Sequence, residues 1–345
     1  MDGGSTEGPA RGRAPLFRLR GLLPLGAAAG ACLCLSGALD LVHHHERIVH
    51  RDHRAKVAAE KVAAAKAPAG KVRGESRYVV GVRRTGTALV VRDIGTGKDV
   101  GVPVAAPPGQ RFQRIASGGD GSYVVAAASA GKVAFQRLRL DGKGRPTSLA
   151  PIPGVAISAA ARPGADMAVN RGDGRIAYAV PASGGARLAV LDPKAGGTKA
   201  WTARGAGRIT SLSWAGPTLS FVWTPGAGKA AQVRTLDTLG AAAGSLKASK
   251  VVLRLPEGGP AVLSPDGATV FAGVPAASAA TVRAYSVSTG KPTKDVWSRP
   301  LEGGLTRLDA GRANGHLLVS AADGRLYVPG APAAVPAADL SDAAW

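Results

Sequence analysis

The chain has 345 residues, of which 45% are hydrophobic but only 4% aromatic, and its 48 glycines and 24 prolines are typical of one large domain with many tight turns. The only cysteines, Cys32 and Cys34, lie in an apolar stretch, which excludes a disulfide, a thiolate nucleophile or a cysteine metal site within residues 35–345. The formal net charge of +21 creates a positive potential that attracts polyanions.

The first two elements are a tail and a membrane span. Residues 1–20 are polar and basic and predict a disordered tail. Residues 21–42 predict a transmembrane helix, because residues 21–39 carry no charge and this length crosses a bilayer at about 1.5 Å per residue. Two alternatives remain open: a cleaved signal peptide with a small-residue site at 29–31, and a soluble buried helix.

The span predicts a single-pass protein of a bacterial cytoplasmic membrane. Four arginines precede the span and four basic residues follow it up to residue 60, so the positive-inside rule does not separate the two orientations. A short basic head before a single span is typical of a signal anchor with a cytoplasmic N-terminus. We therefore expect the rest of the protein to be extracytoplasmic.

Residues 43–75 predict a stalk or linker rich in His, Lys, Arg and Ala. Clustered imidazoles can bind Zn or Ni, but the arginines interleaved here would repel a cation. We interpret the histidines as a solvated collar at the membrane surface and predict no metal site. The clustered histidines are His43, His44, His45, His50 and His53.

A nine-residue phrase occurs at residues 91–99 and again at 284–292, and in both copies an alternating apolar strand runs into a Thr-Gly-Lys turn. From Val91, looser copies at Leu140, Leu191 and Leu236 and the second full copy at Tyr285 follow in steps of 49, 51, 45 and 49 residues. A steady period of this size, filled with short strands, is the signature of β-propeller blades.

Residues 76–340 are therefore predicted to form an all-β domain, a β-propeller with six blades or, as the alternative, seven. The first repeat lacks a clear inner strand, and residues 341–345 are predicted to be a C-terminal tail. Four Asp-Gly pairs fit hairpin turns between strand signals, because glycine accepts positive φ. The six candidates for third strands lie near Val90, Leu138, Val190, Val233, Ala284 and Tyr327.

One hairpin carries a family resemblance. Residues 264–272 read Ser-Pro-Asp-Gly-Ala-Thr-Val-Phe-Ala, and residues 213–219 read as a degenerate copy without the aspartate. The longer segment resembles the Ser-Pro-Asp-Gly hairpin of TolB-like and WD-repeat-like bacterial propellers, although the His and Trp-Asp signatures of WD repeats are absent. The resemblance implies a ring-shaped binding scaffold and no particular ligand.

The repeat domain shows no convergent set of nucleophiles, bases or ligands, so we predict no enzyme activity, no cofactor, and no catalytic, cofactor-binding or metal-binding residues. Its single histidine, His316, is interpreted as a strand-edge or surface residue. Residues 95–98 resemble part of a phosphate loop but lack its first glycine and a following helix, and are interpreted as a strand turn. The Arg-Gly-Asp tripeptide at 171–173 is interpreted as part of a hairpin.

We hypothesise a membrane-anchored, non-enzymatic binding or scaffold module. Its predicted partners are the lipid bilayer, through residues 21–42, and a protein or an anionic envelope polymer. Nucleic acid is disfavoured, because outside residues 47–73 the basic residues form no dense run. Two alternatives stay open: an electrostatic polyanion binder, and a propeller-type hydrolase, which two or three carboxylates converging on the channel would favour.

Overall fold

The computed structural model describes one domain of the chain. The predicted tail, membrane span and stalk lie outside the described residues, so those three predictions stay predictions. Within the described part of the chain, no helix has the length and apolarity needed to cross a membrane. The described residues are 77–345, except 159–164, 183, 206, 227–228, 256–257, 277–278, 302, 312–315 and 332.

The domain consists almost entirely of strands, with one 3₁₀ turn at Leu246–Ala248. The strands, in chain order, are β1 (Tyr78–Arg83), β2 (Ala88–Asp93), β3 (Val104–Ala105), β4 (Arg111–Ser117), β5 (Tyr123–Ser129), β6 (Lys132–Leu140), β7 (Pro146–Ser158), β8 (Asp166–Val169), β9 (Ile176–Ala182), β10 (Gly185–Asp192), β11 (Gly197–Arg204), β12 (Arg208–Ala215), β13 (Thr218–Thr224), β14 (Ala231–Asp237), β15 (Gly244–Ser245), β16 (Lys250–Leu255), β17 (Ala261–Leu263), β18 (Thr269–Ala276), β19 (Ala279–Ser286), β20 (Pro292–Arg299), β21 (Leu305–Ala310), β22 (Leu317–Ala321), β23 (Arg325–Tyr327), β24 (Val335–Pro336) and β25 (Leu340–Ala344).

These strands form six sheets, and each sheet is one blade of a propeller. Blade 1 has the order β25-β1-β2-β3, blade 2 is β4 to β7, and blade 3 is β8 to β11. Blade 4 is β12, β13, β14 and β16, blade 5 is β17 to β20, and blade 6 is β21 to β24. The short β15, from the chain of blade 4, adds a parallel fifth strand to blade 3. The prediction of an all-β, six-bladed propeller is confirmed.

The predicted Asp-Gly turns adopt the conformation that selects glycine. All four glycines have φ between +73° and +84°, a region that side chains with a Cβ avoid. Each turn joins two adjacent antiparallel strands of one blade. The four glycines are Gly121, Gly174, Gly267 and Gly324.

The core lies between neighbouring blades, where both faces of each sheet are buried. Phe135 of blade 2 meets Tyr178 of blade 3 edge to face, with ring centroids 5.5 Å apart. Trp201 is fully buried within the apolar cluster that joins blades 3 and 4, and its indole Nε1 donates to the carbonyl of Ala242 at 2.8 Å. These large aromatic residues therefore pack between blades, where each buries a large apolar surface.

The last strand closes the ring. β25 pairs antiparallel with β1, with Val80 opposite Ala344 and Gly81 opposite Ala343. Blade 1 thus takes its inner strand from one end of the domain and its other three strands from the other end. The predicted tail at residues 341–345 is corrected by this pairing, since Leu340–Ala344 is a strand. Its Leu-Ser-Asp-Ala-Ala sequence has no apolar alternation, and this is why the first repeat lacked an inner strand.

An ionic cluster fastens the closing segment beside β2. The guanidinium of Arg92, only 8% exposed, lies 2.8 Å from a carboxylate oxygen of Asp99 and 3.1 Å from one of Asp339. Arg83 pairs with the same two aspartates. Burial alone would raise the pKa of Asp339, but the hydrogen bond and attraction from Arg92 outweigh it and lower that pKa.

Deleting residues 340–345 is expected to open the ring, because β1 loses its only partner on the channel side. We expect the thermal midpoint to fall by about 10 °C or more, measured by circular dichroism. A peptide of residues 338–345 added in trans should restore part of the loss, and a scrambled peptide should not. A truncated chain that melts like the full chain would contradict the closure described here.

The ionic cluster predicts a specific sensitivity to acid. Because the pKa of Asp339 is lower in the folded state than in the unfolded state, its stabilisation is complete above the unfolded value of about 4 and is lost as the pH falls through the folded value. The Asp339→Asn variant should therefore be less stable than the wild type at pH 6, and the difference should shrink towards pH 2. Urea unfolding at several pH values measures this, and two parallel curves would refute the assignment.

Candidate functional site

The inner strands of the blades surround a central channel with two distinct ends. Connections between the second and third strands and between successive blades lie at one end, which we call the mouth face. Connections between the first and second strands and between the third and fourth strands lie at the other end, which we call the turn face. A cavity of about 980 Å³ opens on the mouth face, and one of about 240 Å³ lies towards the turn face.

The mouth cavity is rich in arginine. Its described acidic residues are only Asp166 and Asp342, and hydroxyl groups from threonine and serine side chains line the wall between the charged groups. The excess of positive charge makes the cavity attractive to anions. The arginines that line it are Arg84, Arg114, Arg208, Arg307 and Arg325.

Arg307 forms the floor of the mouth cavity. It extends from blade 6, and its Nη1 lies 2.5 Å from a carboxylate oxygen of Asp342 in blade 1 and 3.5 Å from one of Asp166 in blade 3, directly across the ring. Burial would lower the pKa of Arg307, but the attraction of Asp342 and Asp166 outweighs it and raises that pKa. The guanidinium of Arg307 is therefore a positive charge that two ion pairs hold in place across the channel.

The two aspartates also satisfy backbone groups of neighbouring blades. Asp342 accepts the N–H of Ile115 in blade 2 at 2.8 Å, and Asp166 accepts the N–H of Leu212 in blade 4 at 3.1 Å. Inner strands are sheet edges, so their channel-facing N–H groups need such partners. These carboxylates therefore join blades and hold Arg307 in place.

A second arginine crosses the channel nearer the turn face, in the opposite direction. Arg171 extends from blade 3 and donates to the carbonyls of Ala310 and Gly311 in blade 6, both at 2.8 Å, and to Ser117 Oγ of blade 2 at 2.7 Å. In the same region burial raises the pKa of Asp309, against the attraction of Arg171. The channel is thus bridged at two levels.

The wall of the mouth cavity contains one residue in a strained conformation. Ser211 has a φ of +57°, and the pairing of β12 with β13 shifts register between Thr210 and Ser213. Such a bulge bends the inner strand and redirects its side chains. Positive φ in a residue other than glycine is often retained at a binding site, and Ser211 lines the cavity.

Of the described residues singled out from the sequence as candidates for a site, none lines the mouth cavity, and Arg171 of the tripeptide at 171–173 is the one that crosses the channel. Residues 95–98 lie in the turn after β2, where Asp93 accepts the N–H groups of Gly95 and Thr96, as the turn interpretation predicted. His316 is half-buried and precedes β22. The tripeptide at 171–173 lies in the turn between β8 and β9, where Asp173 accepts a hydrogen bond from Arg175 at 2.8 Å.

Sequence reasoning missed the channel charges, because Arg114, Asp166, Arg307 and Asp342 come from four different blades. The available signal was that each of these four charged residues lies in a short inner strand next to an apolar residue. Among residues 77–345 that the structure describes, no group of three or more His, Cys, Asp or Glu side chains is arranged to hold a metal ion.

The fold is similar to that of several solved structures, which include TolB proteins and a propeller. TolB from Acinetobacter baumannii is 16% identical with a TM-score of 0.48, over 78% of this chain and 66% of that chain. The Dos1 propeller is 18% identical with a TM-score of 0.39, over 70% and 62%. A chain of the Nidogen/Laminin complex is 11% identical with a TM-score of 0.49, over 77% of this chain and 97% of that chain. The chain therefore spans under two thirds of the first two structures.

No protein-family model matches the chain, and no curated protein has a similar sequence.

Replacing Asp342 should destabilise the propeller, because it leaves Arg307 and the Ile115 N–H partly unsatisfied in a buried place. We expect Asp342→Asn to lower the free energy of unfolding by about 3 kcal/mol, measured by urea denaturation. The matched control is Asp295→Asn, which removes an exposed pair with Arg283 and should cost under about 1 kcal/mol. Equal losses in the two variants would contradict the bridging role of Asp342.

Proposed function

We propose that this protein is a non-enzymatic binding or scaffold propeller that takes an anionic segment of a partner into its mouth cavity. The partner is a protein with an acidic segment or an anionic envelope polymer. The observation that supports the proposal is the lining of the cavity, where five arginines face two aspartates among the described residues. Both aspartates are already engaged by arginines and backbone N–H groups.

The charge of the outer three arginines is available to a ligand. Arg84 donates only to a backbone carbonyl, that of Ala338, at 2.6 and 3.2 Å, so its charge is not neutralised there. Arg208 and Arg325 are exposed, and their side chains form no ion pair with any other described residue. Guanidinium groups bind carboxylates and phosphates in a planar, two-pronged geometry, which suits this ligand class.

The size and shape of the cavity favour a segment over an extended surface. A volume of about 980 Å³ is at the upper end of the usual range for ligand pockets. The arginines face a concave opening and do not form a stripe along a helix or groove, so the geometry suits the tip of an acidic chain better than a nucleic-acid duplex.

The hydrolase alternative is weakened by the state of the carboxylates. Asp166 and Asp342 do converge on the channel, as that alternative requires. However, Arg307 lies between them, and each accepts a backbone N–H group from the next blade. A general acid or base needs a carboxylate that can exchange a proton with substrate, and these two are committed to holding the ring together.

The proposal includes a tether. Residues 21–42 anchor the protein in the bacterial cytoplasmic membrane as a single-pass protein, with the propeller outside the cytoplasm, where an envelope polymer or an exported protein would meet the mouth. The apolar sequence of residues 21–39 supports this part of the proposal.

Binding of the full chain to poly-L-glutamate and to polyglycerol phosphate tests the proposal. The variant Arg84→Ser/Arg208→Ser/Arg325→Ser should raise Kd about tenfold or more and reduce the dependence of Kd on salt. The matched control, Lys247→Ser/Lys250→Ser/Lys294→Ser, removes the same charge from exposed positions away from the mouth and should change Kd little. If both variants weaken binding equally, the mouth is not the site.

A further inference from the structure

The repeated turn phrase of the sequence has no part in the mouth. It forms the connections between third and fourth strands, which lie at the turn face, on the far side of the ring. In blades 1, 2, 3 and 5 this connection is a short turn that carries an exposed lysine whose side chain forms no hydrogen bond or ion pair with any other residue the structure describes. We call this set the lysine crown: Lys98 of blade 1, Lys143 of blade 2, Lys194 of blade 3 and Lys291 of blade 5.

The aspartates of these turns do not neutralise the crown by direct pairing. Asp141 accepts the backbone N–H groups of Lys143 and Arg145, both at 2.8 Å. Asp192 accepts the N–H groups of Lys194 and Ala195 at 2.9 and 3.0 Å. The carboxylates thus turn back onto the turn backbone, and the lysine ammonium groups extend into solvent.

Blade 4 presents an apolar residue at the equivalent position. Leu239 stands two residues after Asp237, as Lys143 stands two residues after Asp141, and it is 63% exposed. The backbone around it is held firmly: the N–H of Leu239 donates to Asp237 at 3.0 Å, and Lys199 Nζ donates to the carbonyl of Leu239 at 2.9 Å. An exposed leucine on a fixed turn is a preorganised contact that costs little ordering entropy on binding.

The first strand, β1, also begins at this face. The carbonyl of Arg77 accepts the N–H of Ile94 at 2.9 Å, and its guanidinium lies 2.5 Å from Asp93, immediately before the lysine turn of blade 1. The start of β1 therefore lies beside the lysine turn of blade 1, and the predicted membrane span at residues 21–42 precedes β1 in sequence.

We propose that the turn face docks onto a bilayer that contains anionic phospholipids. The lysine crown contacts the headgroups, and Leu239 enters the interface between headgroups and acyl chains. Basic side chains on the same face as an exposed apolar residue are the combination that binds such interfaces. The four turns contain no aromatic residue on which a nucleic-acid base would stack, which favours lipid over single-stranded nucleic acid. The mouth cavity then points away from the membrane and stays open to its ligand.

The experiment uses the full chain with two kinds of nanodisc. One contains phosphatidylcholine alone, and in the other about one lipid in three is phosphatidylglycerol. Cys32→Ala and Cys34→Ala leave a single introduced cysteine for an environment-sensitive fluorophore. Ser288→Cys places it in the turn of Lys291, and Ala130→Cys places it on the mouth face. We expect a blue-shifted emission and quenching by a lipid-borne quencher at position 288, only with phosphatidylglycerol, and neither effect at position 130.

Variants separate the two contacts. Replacing the four crown lysines by serine should lower the ratio of docked to undocked protein by roughly three orders of magnitude. Leu239→Ser should lower it about tenfold. The matched control, Lys132→Ser/Arg204→Ser/Lys229→Ser/Arg254→Ser, removes four exposed positive charges from the mouth end of the blades and should leave the fluorescence unchanged.

Three results would overturn the proposal. One is the same emission at position 288 with and without phosphatidylglycerol, and another is an equal response at position 130. The third is a crown that binds a DNA oligonucleotide but gives no lipid-dependent signal. Poly-L-glutamate binding, which tests the mouth, is measured on the same proteins, so failure of one proposal is distinguishable from failure of the other.

Discussion

The structure depends on satisfying the inner edges of its sheets. Every blade ends at the channel with a strand that has a neighbour on one side only, and unpaired N–H groups there would be costly to bury. Blade 1 is completed by β25, a strand more than 250 residues away from β1 in the chain. Aspartates on the inner strands then accept N–H groups of the next blade, so the same side chains that close the ring also set the electrostatics of the channel.

This double use explains why the candidate site is basic. Asp166 and Asp342 both form ion pairs with Arg307, so the charges of these three residues are already paired within the ring. The three outer arginines form no ion pair with the described residues, and in the proposed function their charge is available to a partner. Under that proposal, stability and binding depend on different members of one cluster. A similar division appears at the turn face, where aspartates bond the turn backbone and lysines face outward.

The sequence predicts the architecture well where a physical pattern repeats within each blade. The Thr-Gly-Lys turns and the Asp-Gly hairpins recur because every blade needs the same reversals, so the period of about 49 residues indicates the fold. The sequence is a poor guide to features that occur only once in the domain. β25 consists of small residues without alternation, and the contact of Arg307 with Asp166 joins positions 141 residues apart, 307 minus 166, on opposite blades. Nothing local in either segment points to the other.

The two arginines that cross between blades 3 and 6 have a mechanical consequence. Their side chains extend in opposite directions at different depths of the channel. The guanidinium of Arg307 pairs with Asp166 of blade 3, and that of Arg171 donates to two backbone carbonyls of blade 6. Within the part of the chain that the structure describes, the two side chains lie between the mouth cavity and the smaller cavity towards the turn face. For the proposed acidic segment, this geometry means entry and exit through the mouth, with contact to Arg307 only at the end of the segment.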